Sequence, residues 1–116
     1  MEDIVEIRAI VRTAMLDRVV RCLKESGAPR LTVTRVHAIG AGVDPASTKL
    51  SFEEGSVYAD KAQVQFICDA ERSEMYTELI LGCASTGRQG DGIVSVHPVN
   101  AIIKIRTGAE GLAALS

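Results

Sequence analysis

The 116-residue chain carries a formal net charge of −2, 47% apolar residues and only 3% aromatic ones. That length is enough for one domain that folds without disulfides or metal. The charge balance gives no general attraction to nucleic acid or to an anionic membrane, and so few aromatics leave no stacking platform for bases. No apolar run approaches a bilayer span, and Met1-Glu2-Asp3 is acidic where a secretory leader is basic, so a cytoplasmic protein with no membrane insertion is expected.

In chain order, Ile4 to Val11 reads as a strand, and Thr13 offers an N-cap for an amphipathic helix carrying Leu16, Val19, Val20 and Leu23. Gly27 should end that helix. Leu31 to His37 is rich in β-branched residues at period two, the pattern of a strand. From Ala41 to about Tyr58 no helical or strand period survives, which predicts a long mobile loop. Ala62 to Cys68 is the next expected strand, and Asp69 can cap a helix whose apolar face holds Met75, Leu79, Ile80 and Cys83. Two short strands, Ile93 to Val96 and Ala101 to Ile105, are expected to close the domain on either side of Pro98. This order predicts an α+β, ferredoxin-like βαββαβ sandwich with two helices on one sheet face. Ile7, Ala9, Ile10 and Val11 put apolar side chains at both strand parities, as do Val64, Phe66 and Ile67. A sheet of that kind asks for cover on its second face, and another copy of the chain is the simplest cover.

Cys22, Cys68 and Cys83 cannot all pair within one chain and form no C-x-x-C motif, so all three are expected as reduced core residues. His37 and His97 are too few and too far apart to argue for a metal site. No Ser-His-Asp set or paired-carboxylate arrangement points to an enzyme, and the fold alone supplies no reaction.

The segment that speaks most directly to function is Thr86-Gly87-Arg88-Gln89-Gly90-Asp91-Gly92. A backbone so depleted of Cβ atoms lets a ligand approach its N–H groups, and phosphate is the usual guest of such loops. Read simply, Asp91 is a turn residue, and Lys104 and Arg106 are cations on one face of the final strand.

Leu16-Asp17-Arg18-Val19, the strand Leu31 to Val36, the run Thr86 to Gly92 and Ile105-Arg106-Thr107-Gly108 together resemble the PII signal-transduction superfamily along nearly the whole chain. The resemblance implies a homotrimer with sheets facing inward and adenine nucleotide (ADP, AMP or ATP) in the clefts between subunits. It also implies a T-loop at about 41–58 that docks on a target membrane transporter or metabolic enzyme. By that resemblance Gly90, Asp91 and Gly92 cradle phosphates, Lys104 (commonly Arg in the family) and Arg106 supply positive charge, and Thr32 and the backbone of Ile67 contact the adenine. Gly40 marks the base of the T-loop.

Several positions depart from the family. Ile93 stands where a phosphate-binding Lys is usual, and Ala41 where an Arg is usual. Each missing cation removes a charge-assisted contact worth about 1.5–3 kcal/mol, which predicts that ADP or AMP binds at least as well as ATP. Gln65 replaces an acidic residue, Gly42 a metal-holding glutamine, and Glu54 and Phe52 occupy the positions of the modified tyrosine and serine. The alternative these losses open is a trimeric scaffold or small-molecule sensor that no longer binds nucleotide.

Overall fold

The computed structural model describes residues 3–40, 46, 48–51 and 56–116, with side chains left aside at 49–51, 56 and 57. Strand β1 (Ile4–Arg12) lies at the centre of an antiparallel sheet, paired on one side with β4 (Ser56–Asp69) and on the other with β5 (Gly92–Pro98). Strand β2 (Thr32–Ala38) adds to the far edge of β4, giving the order β2-β4-β1-β5. This is the ferredoxin-like α+β arrangement expected from the sequence. Alternation in β1 and β4 sends Ile7, Ala9 and Val11, with Ala62, Val64 and Phe66, to one face. There they are sealed by Val19 and Leu23 of α1 (Leu16–Glu25) and by Tyr76, Ile80 and Cys83 of α2 (Ser73–Ala84).

Helix α1 ends as its sequence dictates. Gly27 takes a φ of +83°, while Ala28 N–H donates to the Leu23 carbonyl and Gly27 N–H to that of Lys24. That is the Schellman pattern, which needs a residue without a Cβ. The start differs from expectation: Thr13 opens a 3-10 turn, and its hydroxyl donates to the Asp60 carbonyl at 3.2 Å instead of capping the helix. Asp69 caps a 3-10 turn, Ala70–Arg72, by accepting from Glu71 N–H at 3.0 Å, and α2 itself follows at Ser73 with no side-chain cap. Of the apolar face expected on α2, Met75 points outward and Tyr76 takes its place inside, edge-on to Phe66 at 5.1 Å.

Three further expectations are corrected. Strand β4 begins at Ser56 rather than Ala62 and pairs with a short β3 (Thr48–Ser51), so part of the stretch read as patternless is a ladder. A four-residue strand is too short to show a period, and it is held by its long partner. The rest of the T-loop expectation, including Ala41, Gly42, Phe52 and Glu54, lies outside the described residues. Ala101 to Ile105 is not a strand. Lys104 N–H donates to the Ala109 carbonyl and Gly108 N–H to that of Lys104, closing a turn over Ile105–Thr107 that Gly108 permits with a φ of +75°. The alternation Ile103-Lys104-Ile105-Arg106 therefore records a turn beside a cavity, and Lys104 and Arg106 do not share a strand face.

The third correction concerns the cysteines. Cys22 on α1 and Cys83 on α2 form a disulfide, 61 residues apart in sequence with Cα atoms 7.1 Å apart; only Cys68 is free, and it is buried. Sequence spacing held no sign of this, because the pairing follows from the side-by-side packing of the helices. Closing a loop of 61 residues restricts the unfolded chain by roughly 4 kcal/mol in the chain-entropy account. A Cys22→Ser variant should accordingly unfold several degrees below the parent under oxidising conditions, and dithiothreitol should erase the difference; equal melting without reductant would show that the bridge contributes nothing. Burial, with Asp69 adding to it, pushes the Cys68 thiol up from 9.0 to about 11. The thiol form therefore supports the fold at neutral pH, and that support is lost as pH rises between these values. In the oxidised native protein a thiol reagent should label nothing rapidly, and should label one site per chain once the fold is opened by urea.

Candidate functional site

The expected site residues fall into two groups at opposite ends of the sheet. At one end, the run Thr86–Gly92 wraps around a single carboxylate. Asp91 Oδ2 accepts from Thr86 N–H at 2.7 Å and Gly87 N–H at 3.0 Å, while Oδ1 accepts from the Thr86 hydroxyl and, at 2.9 Å, from Arg12 Nε. Arg12 also donates from Nη2 to the Gln89 carbonyl at 2.7 Å, and Lys61 Nζ donates to the carbonyl of Gly90. Arg12 and Lys61 are cross-strand partners on β1 and β4, and both are buried. They form a cationic floor that binds the loop's carbonyls. The Thr86 hydroxyl and amide, and then Arg12, hold the Asp91 carboxyl well below the usual carboxylate range.

The glycines follow from the same geometry. Gly87, Gly90 and Gly92 all have φ between +81° and +106°. At Gly92, a Cβ would lie 1.7 Å from the Ile10 carbonyl oxygen, so no other residue fits where the loop enters β5. Gly40, with a φ of +108°, follows the end of β2 on this side of the sheet, where Ala38 pairs with Ala59 and Val36 with Lys61. Gly40, Gly90, Asp91 and Gly92 thus share one end of the molecule.

The other end holds a cavity of about 590 Å³. Its sheet wall is Thr32 from β2, Glu6 from β1, and Gln65, Phe66 and Ile67 from β4; the turn from Ile102 to Arg106 and residues Ala114 and Leu115 cover it. Thr32 and Gln65 are cross-strand partners, and Ile67 pairs with Glu6. Arg30 stands at the rim, a cation the sequence reading passed over. Glu6 is tied to Arg8 by an ion pair, and Lys104 Nζ donates to the Ser116 carbonyl. Thr32, Ile67, Lys104 and Arg106 are therefore brought together by the fold. They are separated from the glycine loop by the length of β4: Lys61 under the loop and Ile67 at the cavity are six residues apart, roughly 20 Å of extended strand. Arg12 and Lys61 were also missed; their signal was a cation on each of two adjacent strands where apolar residues dominate. Among the described residues, no group of three His, Cys, Asp or Glu side chains is placed to hold a metal ion, and no helix is long and apolar enough to cross a membrane.

Taken together, these elements make a ferredoxin-like α+β domain with a polar group at each end of its sheet. The chain belongs to the nitrogen regulatory protein P-II family, whose model matches residues 4–109. It is 34% identical over 110 residues to the nitrogen regulatory protein P-II of Rhizobium meliloti (strain 1021), covering 95% of this chain and 98% of that one. It is 32% identical over 106 residues to the nitrogen fixation nifHD1 region GlnB-like protein 1 of Methanosarcina barkeri, covering 91% and 97%. Among solved structures it superposes on Arabidopsis thaliana PII bound to citrate with a TM-score of 0.78 at 26% identity, covering 97% of this chain and 92% of that one. The protein is thus a signal-transduction regulator of the PII family rather than an enzyme.

The internal clasp makes a sharp prediction. In Asp91→Asn an amide NH₂ can face the Arg12 guanidinium, and the carboxylate that gathers Thr86, Gly87 and Arg12 is gone. Amide exchange at Thr86 and Gly87 should speed up severalfold while exchange in the β1–β4 ladder stays slow; unchanged loop exchange would show that Asp91 does not hold the loop. Since folding lowers the Asp91 pKa, its stabilisation is complete above the ordinary value of 3.8 and is lost progressively as pH falls from there through the lower folded value. Loop amides in the parent protein should therefore remain protected at pH values where ordinary carboxylates are already protonated.

Proposed function

We propose that the protein is an adenine-nucleotide-binding regulator that works as a homotrimer and controls a target transporter or enzyme through its T-loop. The observation that carries this reading is the division of the site. One chain presents a glycine-loop half (Gly40, Gly90, Asp91, Gly92) at one end of its sheet and a cavity half (Thr32, Ile67, Lys104, Arg106) at the other. Two halves too far apart to hold one small ligand become a single cleft when copies join head to tail, and three copies close a ring. In that cleft the adenine lies against Thr32 and Ile67, and the phosphates reach Lys104, Arg106 and the glycine loop of the neighbour. The ligand biases the T-loop through its base at Gly40, since a nucleotide shifts a loop only by contacting its two states differently.

Ile93, 65% exposed where the family's phosphate-binding Lys is usual, favours a second reading in which the trimer serves as a scaffold or small-molecule sensor without nucleotide. Calorimetric titration with AMP, ADP and ATP, with and without Mg²⁺, separates the two. Micromolar binding with ADP or AMP at least matching ATP is expected, and the absence of binding by all three nucleotides supports the scaffold. Arg106→Ala should weaken every phosphorylated ligand about tenfold or more, the loss of one charge-assisted contact. Native mass spectrometry should give a trimer, and saturating nucleotide should alter protease cleavage between residues 41 and 58.

A further inference from the structure

Arg30 is the feature of the cavity that the proposed ligand does not yet use. It lies two residues before Thr32, on the β2 side, whereas Lys104 and Arg106 come from the turn that follows β5. Its guanidinium has no hydrogen-bond or ion-pair partner among the described residues. Nearby groups leave that charge uncompensated: Glu6, the carboxylate of the cavity wall, is taken up by Arg8, and Gln65, opposite Thr32, is a neutral amide whose oxygen accepts from Gln63 at 2.7 Å. The Gln65 amide nitrogen is a donor on the same wall. A cation and an amide donor beside the adenine-contacting hydroxyl, apart from the phosphate cations, suit an anion attached to the sugar rather than to the 5′ chain. A carboxylate at such a place selects a free ribose hydroxyl, whereas arginine accommodates a ribose phosphate.

We propose that Arg30, assisted by Gln65, is a specificity-determining residue that makes this cleft select adenine nucleotides bearing a phosphoryl group on the ribose as well as one at the 5′ position. The inference rests on the nucleotide-binding reading above. The cavity volume of about 590 Å³ leaves room for the added group.

The test is calorimetric titration of the full-length protein with AMP, adenosine 2′,5′-bisphosphate and adenosine 3′,5′-bisphosphate, repeated for Arg30→Ala and Lys104→Gln. One of the bisphosphates should bind at least tenfold tighter than AMP. Arg30→Ala should abolish that ratio by weakening the bisphosphate far more than AMP, whereas Lys104→Gln should weaken AMP and bisphosphate alike and preserve it. Binding of AMP with no gain from either ribose phosphate overturns the proposal while leaving the nucleotide reading intact. So does an equal loss for AMP and bisphosphate in Arg30→Ala, which would assign Arg30 to the 5′-phosphate or to stacking on the base. If neither AMP nor the bisphosphates bind, this inference is overturned, and the nucleotide reading falls with it only if ADP and ATP fail to bind as well.

Discussion

The antiparallel ladder between β1 and β4 is the constraint on which the rest of the molecule depends. Its register runs from Ile4 opposite Asp69 to Arg12 opposite Lys61. Because side chains alternate, that one register decides both faces and both ends together. Ile7, Ala9, Val11, Val64 and Phe66 go to the helices, and Arg12 and Lys61 lie side by side under the glycine loop. Glu6 and Ile67 arrive together at the cavity. A one-residue slip exchanges the faces, bringing charges to the core and apolar side chains to the site.

The glycine loop shows how a buried charge is made tolerable and useful at once. Two buried cations are costly without partners, and here they hold the carbonyls of Gln89 and Gly90 and the carboxylate of Asp91. Those contacts fix the two carbonyls on the cations beneath the loop. The loop is thereby organised before any ligand arrives, so binding does not bear the entropy of ordering it. Asp91 is in this respect a structural clasp whose side chain faces its own loop, and any direct service to a phosphate falls to the surrounding backbone.

What was legible in the sequence was whatever is written locally. The strands β1 and β2 and the glycine stop after α1 have causes within a few residues and formed where expected, while Asp69 caps the 3-10 turn that leads into α2. The ferredoxin-like order followed from them. The disulfide between Cys22 and Cys83 and the clasp between Arg12 and Asp91 join residues 61 and 79 positions apart. Only the packing of the helices and the register of the sheet bring those partners together. The turn over Ile105–Thr107 misled for a different reason: alternating isoleucines imitate a strand, but strand formation needs a partner with open backbone groups. Here Lys104 and Gly108 bond within the turn instead. Of the candidate site, the split of its residues between neighbouring chains was implied only by the family resemblance, while their distance apart within one chain was not written in the sequence, because only tertiary structure sets the stretch of β4 between them.

That division also bears on how sensitivity and signalling are joined in one small chain. A cleft contained within a single copy can report its occupancy only through that copy's own fold, and the rigid β1–β4 core leaves little to move. A cleft shared between copies makes occupancy and assembly thermodynamically linked, since a ligand that bridges two chains strengthens their contact by the same free energy with which the contact strengthens its binding. Gly40 lies at the glycine-loop end, so in the proposed trimer the segment that leaves β2 would start from the half of the site that meets the neighbour's cations. Under that proposal the nucleotide's charge and the neighbour's position would both be felt at Gly40. On the same proposal, Ile93 and Ala41, which stand where the family usually has cations, would alter the strength of this coupling and leave the β1–β4 frame as it is.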